Sequence, residues 1–136
     1  MALTEGSPRN RTIQEASPKF PVTLAGTVIQ GDILGYATGW KRALATVGTA
    51  IQGKLIALSG GVTGDVIEVC REAVISGFTL GTPGGLVYVE EGAGVGGGYT
   101  ETAPTTQGDV NTIIGYVLAA DAIYVAPSTR AGSVVA

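Results

Sequence analysis

The sequence predicts an all-β, compact single-domain fold of the β-sandwich or barrel-like type. Three observations carry this. Apolar residues alternate with polar ones in short runs, turn residues interrupt the chain roughly every 8 to 12 residues, and helical spacing persists through no full window. The 136-residue length suits one domain, and 45% hydrophobic content is enough for a real core. The 22 glycines fit the many tight bends of such a fold.

The opening stretch, residues 1–19, differs from the rest. Its large aliphatics are Leu3 and Ile13, it carries Pro8 and Pro18, and Arg9, Arg11 and Lys19 outnumber Glu5 and Glu15. It reads as an extended N-terminal arm, with a β domain over 20–127 and a C-terminal tail over 128–136. From Phe20 to Val28 apolar residues fall on alternate positions, which predicts a half-buried strand. Gly31-Asp32 turns the chain into Ile33–Tyr36, and Arg42–Thr46 follows as a short strand beyond Thr38-Gly39-Trp40.

Leu55–Leu58 ends at Gly60-Gly61, and the β-branched run from Val66 to Ile75 predicts the longest, central strand. Thr82-Pro83-Gly84-Gly85 is a turn signal, because proline presets one turn angle and glycine supplies the positive φ that follows. A hairpin into Leu86–Val89 is the expected consequence. A flexible tract, Gly92–Gly98, separates this strand from Tyr99–Thr102. Ile113–Leu118 and Ala122–Val125 form the last pair, closing at Pro127.

Residues able to do chemistry are sparse. The chain has no histidine, which excludes Ser-His triads and removes the commonest metal ligand. Lys54 and Ser59 are formally a Ser-Lys pair, but Lys54 follows Gln52-Gly53 in what reads as a solvated turn. Glu68 and Glu72 share strand parity with Cys70 and admit an acid–base pair, although a solvent-facing strand edge accounts for them more simply. Cys70, as the sole cysteine, cannot form an intramolecular disulfide and reads as a small buried side chain.

Asp32, Asp65, Asp109 and Asp121 stand beside turns, without the clustered spacing of a calcium loop. Gly92–Gly97 matches G-x-G-x-x-G literally, but Tyr99 and Pro104 follow where a dinucleotide site needs a helix, and Glu90 and Glu91 would repel phosphates. The expectation is no catalytic residue, no cofactor and no metal.

A net charge of -3 with eight scattered Lys and Arg argues against nucleic-acid binding. No signal pattern and no apolar run near the ~20 residues of a membrane span is present, so the product is expected to be made in the cytoplasm without a membrane partner. A charged fraction of 14% is low for a free monomer and implies that part of the surface is covered.

One order of segments is familiar. Gly31-Asp-Ile-Leu-Gly-Tyr36 leads to Gly39-Trp40; a long strand ends in Ala73-Val-Ile-Ser-Gly77; Leu80-Gly-Thr-Pro-Gly84 precedes Leu86-Val-Tyr88-Val89. Thr102-Ala-Pro-Thr-Thr106, Ile114-Gly-Tyr-Val-Leu118 and Val125-Ala-Pro127 complete it. Over Phe20 to Pro127 this resembles bacteriophage head decoration, or capsid cement, proteins.

The resemblance implies a β-tulip domain, homotrimeric, on the capsid exterior of the virion, with the major capsid protein and further copies of itself as partners. It also implies an arm that reaches a neighbour, with Leu3, Pro8, Arg9, Arg11, Ile13, Pro18 and Phe20 as its contact residues. Ordering a backbone costs about 1 to 2 kcal/mol per residue, whereas burying Leu3 and Ile13 returns roughly 1.5 to 3 kcal/mol each. The arm is therefore expected to be mobile until it adds as a strand to a partner's sheet edge, with Pro8 and Pro18 keeping it extended. Deleting residues 1–19 is expected to leave the body folded. The shorter order Gly81-Thr-Pro-Gly84, Val87-Tyr-Val89, Thr102-Ala-Pro-Thr105 also recurs in phage head-fibre and tail modules, for which exposed tyrosines, Tyr88, Tyr99 or Tyr116, would serve as a receptor or glycan platform, although 6% aromatics does not favour it.

Overall fold

The β-branched run becomes the hub of the molecule. In a computed structural model describing residues 2–6, 8–91 and 96–136, β6 (Val66–Ser76) is paired along both edges. One edge takes β5 (Leu55–Ala57), with Ile56 opposite Cys70, and then β11 (Ala122–Val125), with Val125 opposite Ala73. The other edge is occupied from end to end by β2 (Thr12–Thr23), antiparallel from Thr12 opposite Ser76 to Thr23 opposite Val66. Beyond β5 the sheet continues to β3 (Ile33–Tyr36) and β4 (Trp40–Arg42). Beyond β11 it continues to β10 (Ile113–Ala119), β8 (Leu86–Val89) and β9 (Tyr99–Thr100). A separate two-stranded ribbon pairs β1 (Thr4–Glu5) with β7 (Phe78–Thr79). The described residues contain no helix, so the protein is all-β, and the main sheet curls strongly into a half-barrel.

That curl produces two cores on either side of β6. Leu24, just past β2, bridges Trp40 of β4, and Ala25 N donates to Trp40 O at 2.8 Å. The ring β2-β6-β5-β3-β4 thereby closes around Leu24, Val28, Leu34, Leu55, Ile67 and Val69. On the other side, Ile33 N donates to Gly97 O and Gly97 N to Ala43 O, joining the segment before β9 to β3 and to the chain after β4. The larger core there includes Ile33, Ile56, Ile75, Val87, Ile114 and Ile123. Adjacent residues Val69 and Cys70 belong to different cores. At Val69-Cys70 the strand is thus covered on both faces, while Glu68, Arg71 and Glu72 on either side stay exposed. Gly97 sits at φ +74°, where a Cβ would lie 2.7 Å from Asp32 Cγ, so the close approach of these segments needs glycine.

Several expectations are corrected here. The boundary between residues 19 and 20 does not exist as a structural division, because β2 runs through it. The strand addition expected from a partner comes from the same chain, since β6 offers a free edge and β2 fills it. Pro18 and Pro21 are compatible with this because no further strand pairs with β2 among the described residues; it is an edge, where a missing N–H is tolerated. β2, at 12 residues, is one longer than β6 at 11, so the central strand is not the longest.

The strand expected up to Val28 ends at Thr23, and the one expected over Arg42–Thr46 is instead β4, Trp40–Arg42. The Thr82–Gly85 turn forms, with Gly85 N donating to Thr82 O at 2.8 Å and Gly84 at φ +86°. It does not make a hairpin: β8 pairs with β10 and β9, and β7 with β1. The tail over 128–136 lies along the body, with Val134 bridging Val110 and Gly108 N donating to Val135 O. Positions 92–95 of the expected flexible tract lie outside the described residues.

Candidate interaction surface

The N-terminal residues are held by a buried charge cluster. Arg11, although chosen as a contact residue for a partner, is buried; its Nη1 donates to Asp32 Oδ1 at 2.6 Å, and its Nε and Nη2 donate to the two carboxylate oxygens of Glu5 at 2.8 and 3.0 Å. Asp32 Oδ2 accepts from Arg42 Nε at 2.6 Å and from Ile29 N at 2.8 Å. Arg9 donates to Gly96 O at 2.7 Å and lies 3.8 Å from Glu90 Oε1. Three guanidinium groups thus face the carboxylates of Glu5, Asp32 and Glu90, and the cluster is neutral, as burial requires.

Burial by itself would lower the Arg11 pKa, but the hydrogen bond to Glu5 and the charges around it raise it instead, so Arg11 stays charged. The Arg11 guanidinium also stands 5.3 Å from the ring centre of Tyr99, whose hydroxyl donates to Gly31 O. Burial pushes the Tyr99 phenol well above its ordinary range.

The other residues assigned to the arm are divided. Leu3 is buried in the larger core, and its N–H donates to Glu101 Oε1 at 2.8 Å. Ile13 packs against that core and Phe20 against the smaller one, both half-buried. Pro8 and Pro18 are exposed and Arg9 is half-buried. Leu3 and Arg11 are therefore engaged within the chain. Of the three tyrosines proposed as a platform, Tyr99 is buried, Tyr88 half-buried and Tyr116 exposed.

What the sheet does present outward is an apolar row. In β8, β10 and β11 alternate residues such as Val87, Ile114 and Ile123 point into the core, which turns Leu86, Tyr116 and Tyr124 out. Register then aligns them: Leu86 is opposite Tyr116, Tyr116 opposite Tyr124, Tyr124 opposite Val74, and Val74 opposite Glu15 of β2. Leu86, Tyr116 and the neighbouring Leu118 remain 46%, 44% and 42% exposed. The Tyr116 and Tyr124 ring centres lie 5.3 Å apart in a tilted arrangement, and the Tyr124 hydroxyl donates to a Glu72 carboxylate oxygen, a bond that raises its pKa. Sequence reading found Tyr116 but missed Leu86 and Tyr124, because a shared row depends on cross-strand register.

The candidates weighed for chemistry fall in separate places. Lys54 Nζ donates to the carbonyls of Ser128 and Arg130, tying down the tail, while Ser59 is exposed. Glu68 and Glu72 are exposed and Cys70 is buried, with desolvation pushing its thiol up to about 11. The described residues contain no group of three or more metal-ligating side chains. No helix among them is long and apolar enough to cross a membrane. Comparison with family models, with curated proteins and with solved structures finds no match.

Proposed function

We propose that this chain is a bacteriophage capsid decoration, or cement, protein that binds the outside of the mature head and stabilises the shell by bridging subunits. Its partners in this reading are the major capsid protein and further copies of itself, as a homotrimer. The observation that carries the reading is the outward-facing row Leu86–Tyr116–Tyr124–Val74, exposed at Leu86 and Tyr116 and half-buried at Tyr124 and Val74. An exposed apolar patch with aromatic residues at its centre and a polar margin, here Glu15 and Glu72, is the composition of a protein-binding surface. The segment order from Phe20 to Pro127 supports the same assignment. Because Leu3 and Arg11 are engaged within the chain, bridging is assigned to this row and to the unpaired edge of β2 rather than to a free arm.

The tilted Tyr116–Tyr124 pair beside the Glu72 carboxylate favours a second reading, a head-fibre or tail module that recognises a glycan or receptor. Copy number separates the two. Quantifying the chain in purified particles should find it in numbers comparable to the shell protein. A few copies per particle would favour the fibre reading, and absence from the particle would overturn both.

A further inference from the structure

The outward apolar row is bordered by charge of one sign. The face is built from β8, β9, β10 and β11 with residues 12–17 of β2 and 72–76 of β6, and these segments hold Glu15 and Glu72 but no lysine or arginine. Asp121, exposed in the turn from β10 to β11, adds a third carboxylate. Glu15 is opposite Val74 and Ser17 opposite Glu72, so the two glutamates are diagonal neighbours across the β2–β6 pair. Such neighbours stand about 7 to 8 Å apart, which leaves room for a group between them. A groove of about 350 Å³ opens there, with Glu15, Ser17, Glu72, Val74 and Tyr124 in its wall.

No ion pair among the described residues engages Glu15 or Glu72. The next cation in sequence, Arg71, is exposed beside Pro18 and Pro127 and pairs with neither. If the row met the same row of a second copy, each Glu15 and Glu72 would face apolar or acidic side chains and no cation. Electrostatic complementarity disfavours that self-contact and favours a surface with a basic border.

We propose that the row receives a basic-rimmed protein surface, not the same row of a second copy, and that a partner's arginine side chain seats in the groove between Glu15 and Glu72. Its methylene stem lies along Val74, its guanidinium reaches both carboxylates, and its planar head faces the Tyr124 ring. The inference rests on the reading of this row as the docking face and adds the chemistry of what docks there.

The test is co-sedimentation of the full chain with expanded, undecorated phage heads at about 0.05 and 0.5 M sodium chloride, comparing it with Glu15→Gln/Glu72→Gln. Both glutamates are exposed, and a glutamine at position 72 still accepts from Tyr124, so the variant should melt like the native chain. Affinity of the native chain should fall roughly tenfold between the two salts. The variant should bind about tenfold more weakly at low salt and lose most of that salt dependence, whereas Glu91→Gln, an exposed carboxylate past the end of β8, should bind like the native chain. Free in solution, Leu86→Asp/Tyr116→Asp should sediment as the native chain does. Native binding indifferent to salt, a Glu15→Gln/Glu72→Gln variant that binds as tightly as the native chain, or an oligomer that Leu86→Asp/Tyr116→Asp dissociates would overturn the basic-rimmed partner while leaving the row as a contact. Heads that take up no native protein would overturn the docking reading with it.

Discussion

Arg11 Nη1 and Asp32 Oδ1 lie 2.6 Å apart with both side chains fully buried, and this pair fastens residues that read as a loose arm onto the body of the same chain. Replacing Arg11 with methionine leaves Asp32 and Glu5 short of a cation in a desolvated site. Breaking a buried pair from one side costs about 3 to 5 kcal/mol. Urea unfolding of Arg11→Met should show a loss of that size, and a loss below about 1 kcal/mol, the level of an exposed pair, would mean that the pair is not buried in solution.

Truncation gives a wider test of the same attachment. Removing residues 1–19 takes away Leu3, the Arg9 and Arg11 contacts, and the part of β2 that covers β6 from Cys70 to Ser76. The truncated chain should lose cooperative unfolding or melt far below the full chain. A truncated protein that melts like the original would restore the independent arm.

Gly115 is opposite Val125 in the β10–β11 pair, and a Cβ there would stand 2.0 Å from the carbonyl oxygen of Tyr124. Backbone cannot yield as a flexible side chain does. Gly115→Ala should destabilise by about 1 to 3 kcal/mol or more, the range for overpacked sites. Gly6→Ala, where the added Cβ would meet the Pro8 carbonyl oxygen at an ordinary 3.7 Å, is the matched control and should change little.

Cys70 offers a probe of opening. With its thiol buried and pushed up to about 11, almost none of it is thiolate at neutral pH. A thiol reagent should label the native protein only as fast as the β5–β6–β2 region opens, and at the rate of a free thiol once it is unfolded. Rapid labelling of the native state would place Cys70 at the surface.

How much was legible in the sequence follows from which forces formed each element. Ile33–Tyr36, Leu86–Val89 and Ala122–Val125 were read with their bounds, because apolar alternation and flanking turn residues act locally. The first half of β2 was not, since Thr12–Lys19 is polar, charged and interrupted by Pro18. Its pairing comes from backbone groups at a free edge, to which side-chain pattern contributes little. The Arg11–Asp32–Arg42 cluster was invisible for a different reason: its members lie on separate segments, and only the curl of the sheet brings them together. Tyr99 was misread as exposed because its hydroxyl bond to Gly31 and its contact with Arg11 are both long-range.

The most direct measurement of the proposed role is co-sedimentation of the purified protein with expanded, undecorated phage heads, comparing the native chain with Leu86→Asp/Tyr116→Asp. Both substituted side chains are exposed, so the variant should melt like the original. The native protein should saturate the heads in high copy and the variant should stay in the supernatant; heads that take up both equally, or neither, would contradict docking through the Leu86–Tyr116 row.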